Sequence, residues 1–196
     1  MENTLESPGA ALALRPRSVL ARLSAALARA EIFLAAVLTF IFFALLLANV
    51  AGRFFGAPLI WVDELAVNLM VIAAFLAAAA AIDARQHIAV TLLPDMVSPR
   101  SAAILRLLAD LLLLVFMLLL GWMVWAWFDP LTASAAESLD AFSAQTFNFI
   151  YQEPTVTLGV RKVWFWLVMP VFAVTATLHC LAQIEADLKH LGTIAK

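Results

Sequence analysis

Long apolar stretches separated by short polar segments dominate the pattern along the chain. A helix rises about 1.5 Å per residue, so roughly 20 apolar residues cross a hydrocarbon core about 30 Å thick. Four stretches reach that length, and their runs of Ala and Leu lack the alternation of a barrel strand. The predicted spans are about residues 32–51, 62–82, 105–128 and 163–184, within a transmembrane domain of residues 31–184. The pattern predicts an all-α membrane protein with four transmembrane helices.

The rest of the chain forms three predicted segments: a cytoplasmic N-terminal segment of residues 1–30, a periplasmic loop of residues 129–162, and a cytoplasmic tail of residues 185–196. In the first segment, apolar residues recur at helical spacing from Val19 to Leu27. This spacing suits an interfacial helix lying at the inner leaflet before span one. A simple extension of the first span explains it as well, so both interpretations stay open.

The periplasmic loop carries an apolar stripe of its own. Four residues follow the i, i+3, i+8, i+11 spacing of one helix face, namely Leu139, Phe142, Phe147 and Ile150. The stripe predicts an interfacial helix from about Ala133 to Tyr151. Such a helix would serve either as a lid over the ends of the spans or as a docking surface for a partner.

Basic residues and tryptophans both indicate the direction of the spans, since Lys and Arg are favoured on the cytoplasmic side and Trp at the interfaces. Nine of the 12 Lys and Arg lie on the side of both termini: Arg15, Arg17, Arg22, Arg29, Arg85, Arg100, Arg106, Lys189 and Lys196. The other side holds Arg53, Arg161 and Lys162, together with all six tryptophans: Trp61, Trp122, Trp125, Trp127, Trp164 and Trp166. Both termini are therefore predicted to be cytoplasmic.

Composition supports a membrane protein and excludes several other classes. The 196 residues are 65% hydrophobic and 13% charged, whereas a soluble domain is nearer half apolar and a quarter charged. The net charge of -2 shows no basic excess of the kind that binds nucleic acid. A single cysteine, Cys180, cannot form an internal disulfide.

Charged residues inside the predicted spans are few. Asp110 is the clear case, and it lies one turn from the cytoplasmic end of span three. A relay for protons or ions would need carboxylates near mid-membrane, so the chain is not expected to conduct by itself. The sequence also lacks a phosphate-binding loop, a nucleophile elbow and a zinc-protease motif. We therefore expect neither enzymatic activity nor a cofactor in this chain.

A polar stripe opens span two. Asp63 and Glu64 stand in its first turn, where the helix dipole favours anions, and Asn68 lies one turn further in. Arg53 is the nearest counterion. The two carboxylates either cap the helix or face a partner protein.

Two further hypotheses rest on single residues. His87 and His179 should both lie near the cytoplasmic face, so a haem-binding membrane subunit of a respiratory dehydrogenase is an alternative. A small self-assembling exporter is another, because such proteins carry an essential carboxylate and Glu31 stands at the edge of span one.

The central segment resembles a known family. The resemblance is carried by Arg53, Trp61-Val-Asp63-Glu64-Leu65, Phe75-Leu76, His87-Ile88-Ala-Val90 and Leu92-Leu93, and by Thr157-Leu158-Gly159 leading to Trp164, Phe165 and Pro170. These motifs are similar to those of the small membrane subunit, the Q or DctQ-type subunit, of tripartite ATP-independent periplasmic (TRAP) transporters. Three positions depart from the family pattern: Val67 and Asp83 stand where basic residues are common, and Ala77 where glycine is.

The resemblance implies a non-catalytic scaffold in a multi-pass complex of the bacterial inner membrane. Its partners would be the large M-type membrane subunit, a periplasmic substrate-binding protein and membrane lipids. Sodium and an organic acid substrate would bind the large subunit, and this chain would hold no cofactor. The residues expected to fix span two against the large subunit or lipid head groups are Arg53, Trp61, Asp63, Glu64, Asn68, Arg85 and His87.

Overall fold

The computed structural model of the protein describes residues 18–84 and 98–194. These residues form seven helices: α1 Val19–Phe54, α2 Ile60–Asp83, α3 Pro99–Phe128, α4 Pro130–Ala135, α5 Leu139–Thr146, α6 Val163–Trp166 and α7 Val168–Ile194. Within the described part of the chain, β structure is limited to one antiparallel bridge between Pro154 and Arg161. The protein is therefore all-α, as predicted.

The four predicted spans are confirmed as four helical segments that are long and apolar enough to cross a membrane. Two of them are α1 and α2, the third comprises α3 and the short α4 that follows it, and the fourth comprises α6 and α7. Their direction in the bilayer stays a prediction. The end that carries the tryptophans is called the outer end below, and the opposite end the inner end.

The first span is part of a single helix of 36 residues. It begins at Ser18, whose hydroxyl accepts a hydrogen bond from the backbone N–H of Ala21 at 3.1 Å. At about 1.5 Å per residue the helix is roughly 54 Å long, which exceeds the hydrocarbon core. The apolar residues before span one therefore belong to an extension of the span, and the structure has no separate interfacial helix between residue 18 and the span.

The outer loop contains two short helices, α4 and α5, so the single helix predicted from about Ala133 to Tyr151 is wrong. Ser138 is extended and caps α5, which interrupts any longer helix. Phe147 ends α5 in the left-handed conformation, with φ of 55°. As a result Phe142 and Ile150 are buried, whereas Phe147, assigned to the same stripe, is 83% exposed.

The helix α7 is central to the packing, because it contacts α1, α2 and α3, while α1 and α2 also contact each other. Small side chains at the contacts, such as Ala79 and Ala176, allow the helices to approach closely. Phe75 and Phe172 fill the centre, with ring centroids 5.2 Å apart. In the bilayer this packing gains little from the hydrophobic effect, because lipid is as apolar as the helix surfaces.

A tight turn joins α1 to α2 at the outer end. The backbone N–H of Ala57 donates to the carbonyl of Gly52 at 2.8 Å. A Cβ atom at Gly52 would lie 2.6 Å from the carbonyl oxygen of Ala57, which is closer than real side chains approach. Glycine at this position therefore lets the turn close.

Substitution of Gly52 tests this turn. We expect Gly52→Ala to lower the free energy of unfolding by about 1–3 kcal/mol, because backbone must shift to admit the methyl group. Gly192→Ala is the matched control, since a Cβ there meets nothing within 4 Å. Thermal unfolding in detergent, followed by tryptophan fluorescence, compares the two variants. Equal midpoints for both would contradict the steric argument.

Candidate functional site

Glu64 connects the start of α2 to the outer loop. Its carboxylate accepts hydrogen bonds from the backbone N–H of Val156 at 2.8 Å, of Thr157 at 2.6 Å and of Leu158 at 3.3 Å. The hydroxyl of Thr157 donates a fourth at 2.7 Å. We call Glu64 with Val156, Thr157 and Leu158 the outer clamp. It joins two parts of the chain that are more than ninety residues apart.

The outer loop presents these N–H groups together because its backbone forms a closed turn between Pro154 and Arg161. Thr155 donates its backbone N–H to the carbonyl of Val160 at 2.7 Å, and its hydroxyl accepts from the N–H of Val160 at 3.0 Å. Gly159 has a φ of 70°, a conformation that glycine adopts without a Cβ penalty. The converging N–H groups make a concave anion site, and Glu64 supplies the anion.

Asp63 contacts α1, whereas its neighbour Glu64 contacts the outer loop. It accepts hydrogen bonds from Asn49 at 2.8 Å and from Arg53 at 2.5 Å, both on α1. The Asn49 side chain is buried and accepts a hydrogen bond from the backbone N–H of Leu59 at 3.0 Å. The side chains of Arg53 and Asp63 are 59% and 51% exposed. Together these residues fix the turn between α1 and α2.

The predicted stripe on α2 is only partly assembled. The carboxylates of Asp63 and Glu64 bind α1 and the outer loop rather than capping their own helix. Asn68 donates to the carbonyl of Glu64 at 2.8 Å, and Trp61 is 41% exposed. Arg85 and His87 lie outside the described residues. The role of these six residues and of Arg53 at a partner or lipid interface stays a prediction.

Two more contacts hold the outer loop against the end of α3. Tyr151 donates its hydroxyl to the carbonyl of Phe128 at 2.7 Å, and Asn148 donates its amide to the carbonyl of Trp127 at 2.7 Å. These carbonyls lie in the last turn of α3, where no further helical partner is available. Burial, with the charge of Asp129 nearby, raises the pKa of Tyr151. The phenol therefore stays protonated and able to donate.

A second polar cluster lies inside the bundle near the inner end. Its four members are Ser24 and Glu31 on α1, Asp83 at the end of α2, and His179 on α7. The ring of His179 is fully buried, with Nδ1 2.7 Å from the Ser24 hydroxyl and Nε2 3.0 Å from a Glu31 carboxylate oxygen. Ser24 also donates to Asp83. We call this cluster the buried histidine network, and it joins three helices.

The sequence interpretation missed this network. Ser24 and Glu31 are seven residues apart, so they lie on the same face of α1, and His179 is a polar residue inside a span. These signals predict a buried partner for each residue, but not which helix supplies it. Asp83 is one of the positions that depart from the family pattern, and its acid is what Ser24 binds.

The haem alternative finds no support. Both ring nitrogens of His179 are occupied by Ser24 and Glu31, which leaves no lone pair directed at an iron. No group of three or more His, Cys, Asp or Glu side chains is arranged to hold a metal ion within residues 18–84 and 98–194. The order Ser24, His179, Glu31 is reminiscent of a hydrolase relay. Ser24 is fully buried, however, so a substrate has no access to it.

Hydrogen exchange tests the outer clamp directly. In Glu64→Ala the backbone N–H groups of Val156, Thr157 and Leu158 lose their acceptor, so we expect their exchange to accelerate by about tenfold or more. Glu137→Ala removes an exposed carboxylate from the same loop and serves as the control. Unchanged protection at these three positions in Glu64→Ala would refute the clamp.

Stability measurements distinguish the two partners of Asp63. Asn49→Ala removes a buried side chain that accepts from the N–H of Leu59 and donates to Asp63, so we expect a loss of roughly 1–3 kcal/mol. Arg53→Ala removes an exposed ion pair, which contributes about 0–1 kcal/mol. Thermal unfolding of both variants provides the comparison. An equal or larger loss in Arg53→Ala would contradict this ranking.

Comparison with known proteins assigns the family. Residues 42–190 match the family model DctQ, described as the DctQ component of tripartite ATP-independent periplasmic transporters. The matched range includes the outer clamp and, in the buried histidine network, Asp83 and His179. Comparison with curated proteins finds no match, and comparison with solved structures finds none either. Because the match covers well over half of the chain, the protein belongs to the DctQ family, the small permease subunit of TRAP transporters.

Proposed function

We propose that this chain is the rigid scaffold subunit of a sodium-coupled TRAP transporter that takes up an organic acid across the bacterial inner membrane. Membership in the DctQ family supports a tripartite complex with a large membrane subunit and a substrate-binding protein. The observation that carries the scaffold role is the outer clamp, through which one carboxylate fixes the outer loop to α2. A transporter whose substrate domain moves needs such an immobile frame beside it.

The outer loop is the surface we assign to the substrate-binding protein. The Glu64 carboxylate accepts hydrogen bonds from the backbone of this loop, and the side chain of Val156 at the same turn is 87% exposed. Phe147 is also exposed on this loop. A folded surface that presents apolar side chains on a fixed backbone binds a partner with a small loss of conformational entropy.

The groove between α1 and α2 is the surface we assign to the large subunit. It has a volume of about 540 Å³ and is lined by small residues of α2, including Ala73, Ala77 and Ala80, and by Phe42 of α1. Small residues let a helix of another protein approach closely inside a membrane. Shape complementarity would then drive assembly without a hydrophobic contribution.

Sodium and substrate sites are assigned to the large subunit, and this chain is proposed to hold no cofactor and to carry out no catalysis. Transporters bind ions with unwound backbone and free polar groups near mid-membrane. The carboxylates of Glu31, Asp63, Glu64 and Asp83 instead all contact other residues of this chain.

Assembly and uptake together test this function. We expect Glu64→Ala to co-purify with the large membrane subunit in normal amount, because the helix surfaces are unchanged. Its uptake driven by the substrate-binding protein should fall several-fold, because the docking loop is released. Glu137→Ala is again the control. Uptake at the normal rate in Glu64→Ala would contradict the docking role, and absence of a large membrane subunit from the purified complex would contradict the scaffold role.

A further inference from the structure

The buried histidine network has three hydrogen-bond contacts. A serine, a neutral histidine and two ionised carboxylates supply fewer polar hydrogens than these contacts need. Three contacts require a hydrogen each: Ser24 to Asp83, Ser24 to His179 Nδ1, and His179 Nε2 to Glu31. A serine hydroxyl supplies one hydrogen and a neutral imidazole supplies one, while ionised carboxylates supply none. One hydrogen is missing.

We propose that the network is a proton-binding site, in which His179 carries a proton on both ring nitrogens. The Ser24 hydroxyl then donates to Asp83 and accepts from Nδ1–H, while Nε2–H donates to Glu31. All three contacts are satisfied at once. The proton comes from the aqueous phase, and its uptake changes the charge of the four side chains from -2 to -1.

The charges around the imidazole favour this state. Glu31 on α1 contacts Nε2, and an Asp83 oxygen on α2 lies 3.7 Å from Nδ1. Asp110 on α3 acts electrostatically on Cys180, the neighbour of His179, and Asp187 lies two turns further along α7. Carboxyl groups from all four long helices therefore lie in this part of the bundle. Burial alone disfavours a cation, but the buried Glu31 carboxylate and the Asp83 carboxylate, whose side chain is 27% exposed, would be more costly without one.

The second oxygen of Glu31 makes this carboxylate dependent on its contact with His179. Oε1 is buried and has no hydrogen-bond partner among the described residues. A carboxylate with one unsatisfied oxygen is costly in an apolar interior, and a cation on its other oxygen offsets part of that cost. An amide or hydroxyl partner would offset less.

The bound proton connects the helices at the inner end. His179 belongs to α7, Glu31 and Ser24 to α1, and Asp83 to the last position of α2. Loss of the proton leaves two acceptors facing each other in one of the three contacts, so the helices are then held together less firmly. This device is separate from the outer clamp and does not depend on the proposed transport function.

Nuclear magnetic resonance of the ring nitrogens tests the proposal. The full chain is labelled with ¹⁵N-histidine in lipid nanodiscs, and His87→Gln together with His190→Gln leaves His179 as the one histidine. We expect two protonated ring nitrogens at pH 7. In the single variant His87→Gln, the exposed His190 adds a second histidine signal for internal comparison. One protonated and one bare nitrogen in His179 at pH 7 would overturn the proposal.

A carboxylate substitution gives a second readout. In Glu31→Gln the doubly protonated ring should be lost at a lower pH than in the native chain, because the neutral amide stabilises the cation less. Glu185→Gln is the matched control on α7, since Glu185 binds Ser18 and Lys189 outside the network. Identical titration of His179 in the native chain and in Glu31→Gln would also overturn the proposal.

Discussion

Polar side chains inside a membrane must find partners within the protein, and this requirement organises the whole chain. Lipid does not drive helices together as water does, so apolar packing of Ala and Leu surfaces leaves their relative positions weakly fixed. An unsatisfied polar group in hydrocarbon costs several kcal/mol, by contrast, so each polar contact strongly selects one arrangement. The four long helices are accordingly joined by few but specific polar contacts at their two ends.

The two ends use these contacts differently. At the outer end, Glu64 accepts hydrogen bonds from backbone N–H groups of the loop, and Asp63 accepts others from α1. Two adjacent residues of α2 therefore fix two separate segments of the chain. At the inner end, His179 is placed between Ser24 and Glu31. The outer contacts shape a surface available to partners, whereas the inner contacts are enclosed. A DctQ subunit built in this way holds its form through its own side chains.

The spans were predictable from the sequence because length and hydropathy are local properties of a segment. Resemblance also singled out Glu64 and Thr157, but nothing in the sequence showed that these residues contact each other across more than ninety positions. The break at Ser138 and the left-handed Phe147 were missed because an apolar stripe does not report backbone conformation. The sequence left a metal-ligand role open for His179 because it does not show which side chains the ring contacts. Those side chains lie on α1, and only the packing of α1 against α7 reveals them.

The central claim is that the chain's own polar contacts preform the frame. Spin labels at Val156→Cys in the outer loop and Leu188→Cys near the inner end of α7 would measure a distance along the whole molecule, since both positions are exposed and native Cys180 is buried. We expect one narrow distance distribution in the isolated chain in nanodiscs, unchanged when the large subunit is bound. A broad distribution that narrows only in the complex would contradict the account.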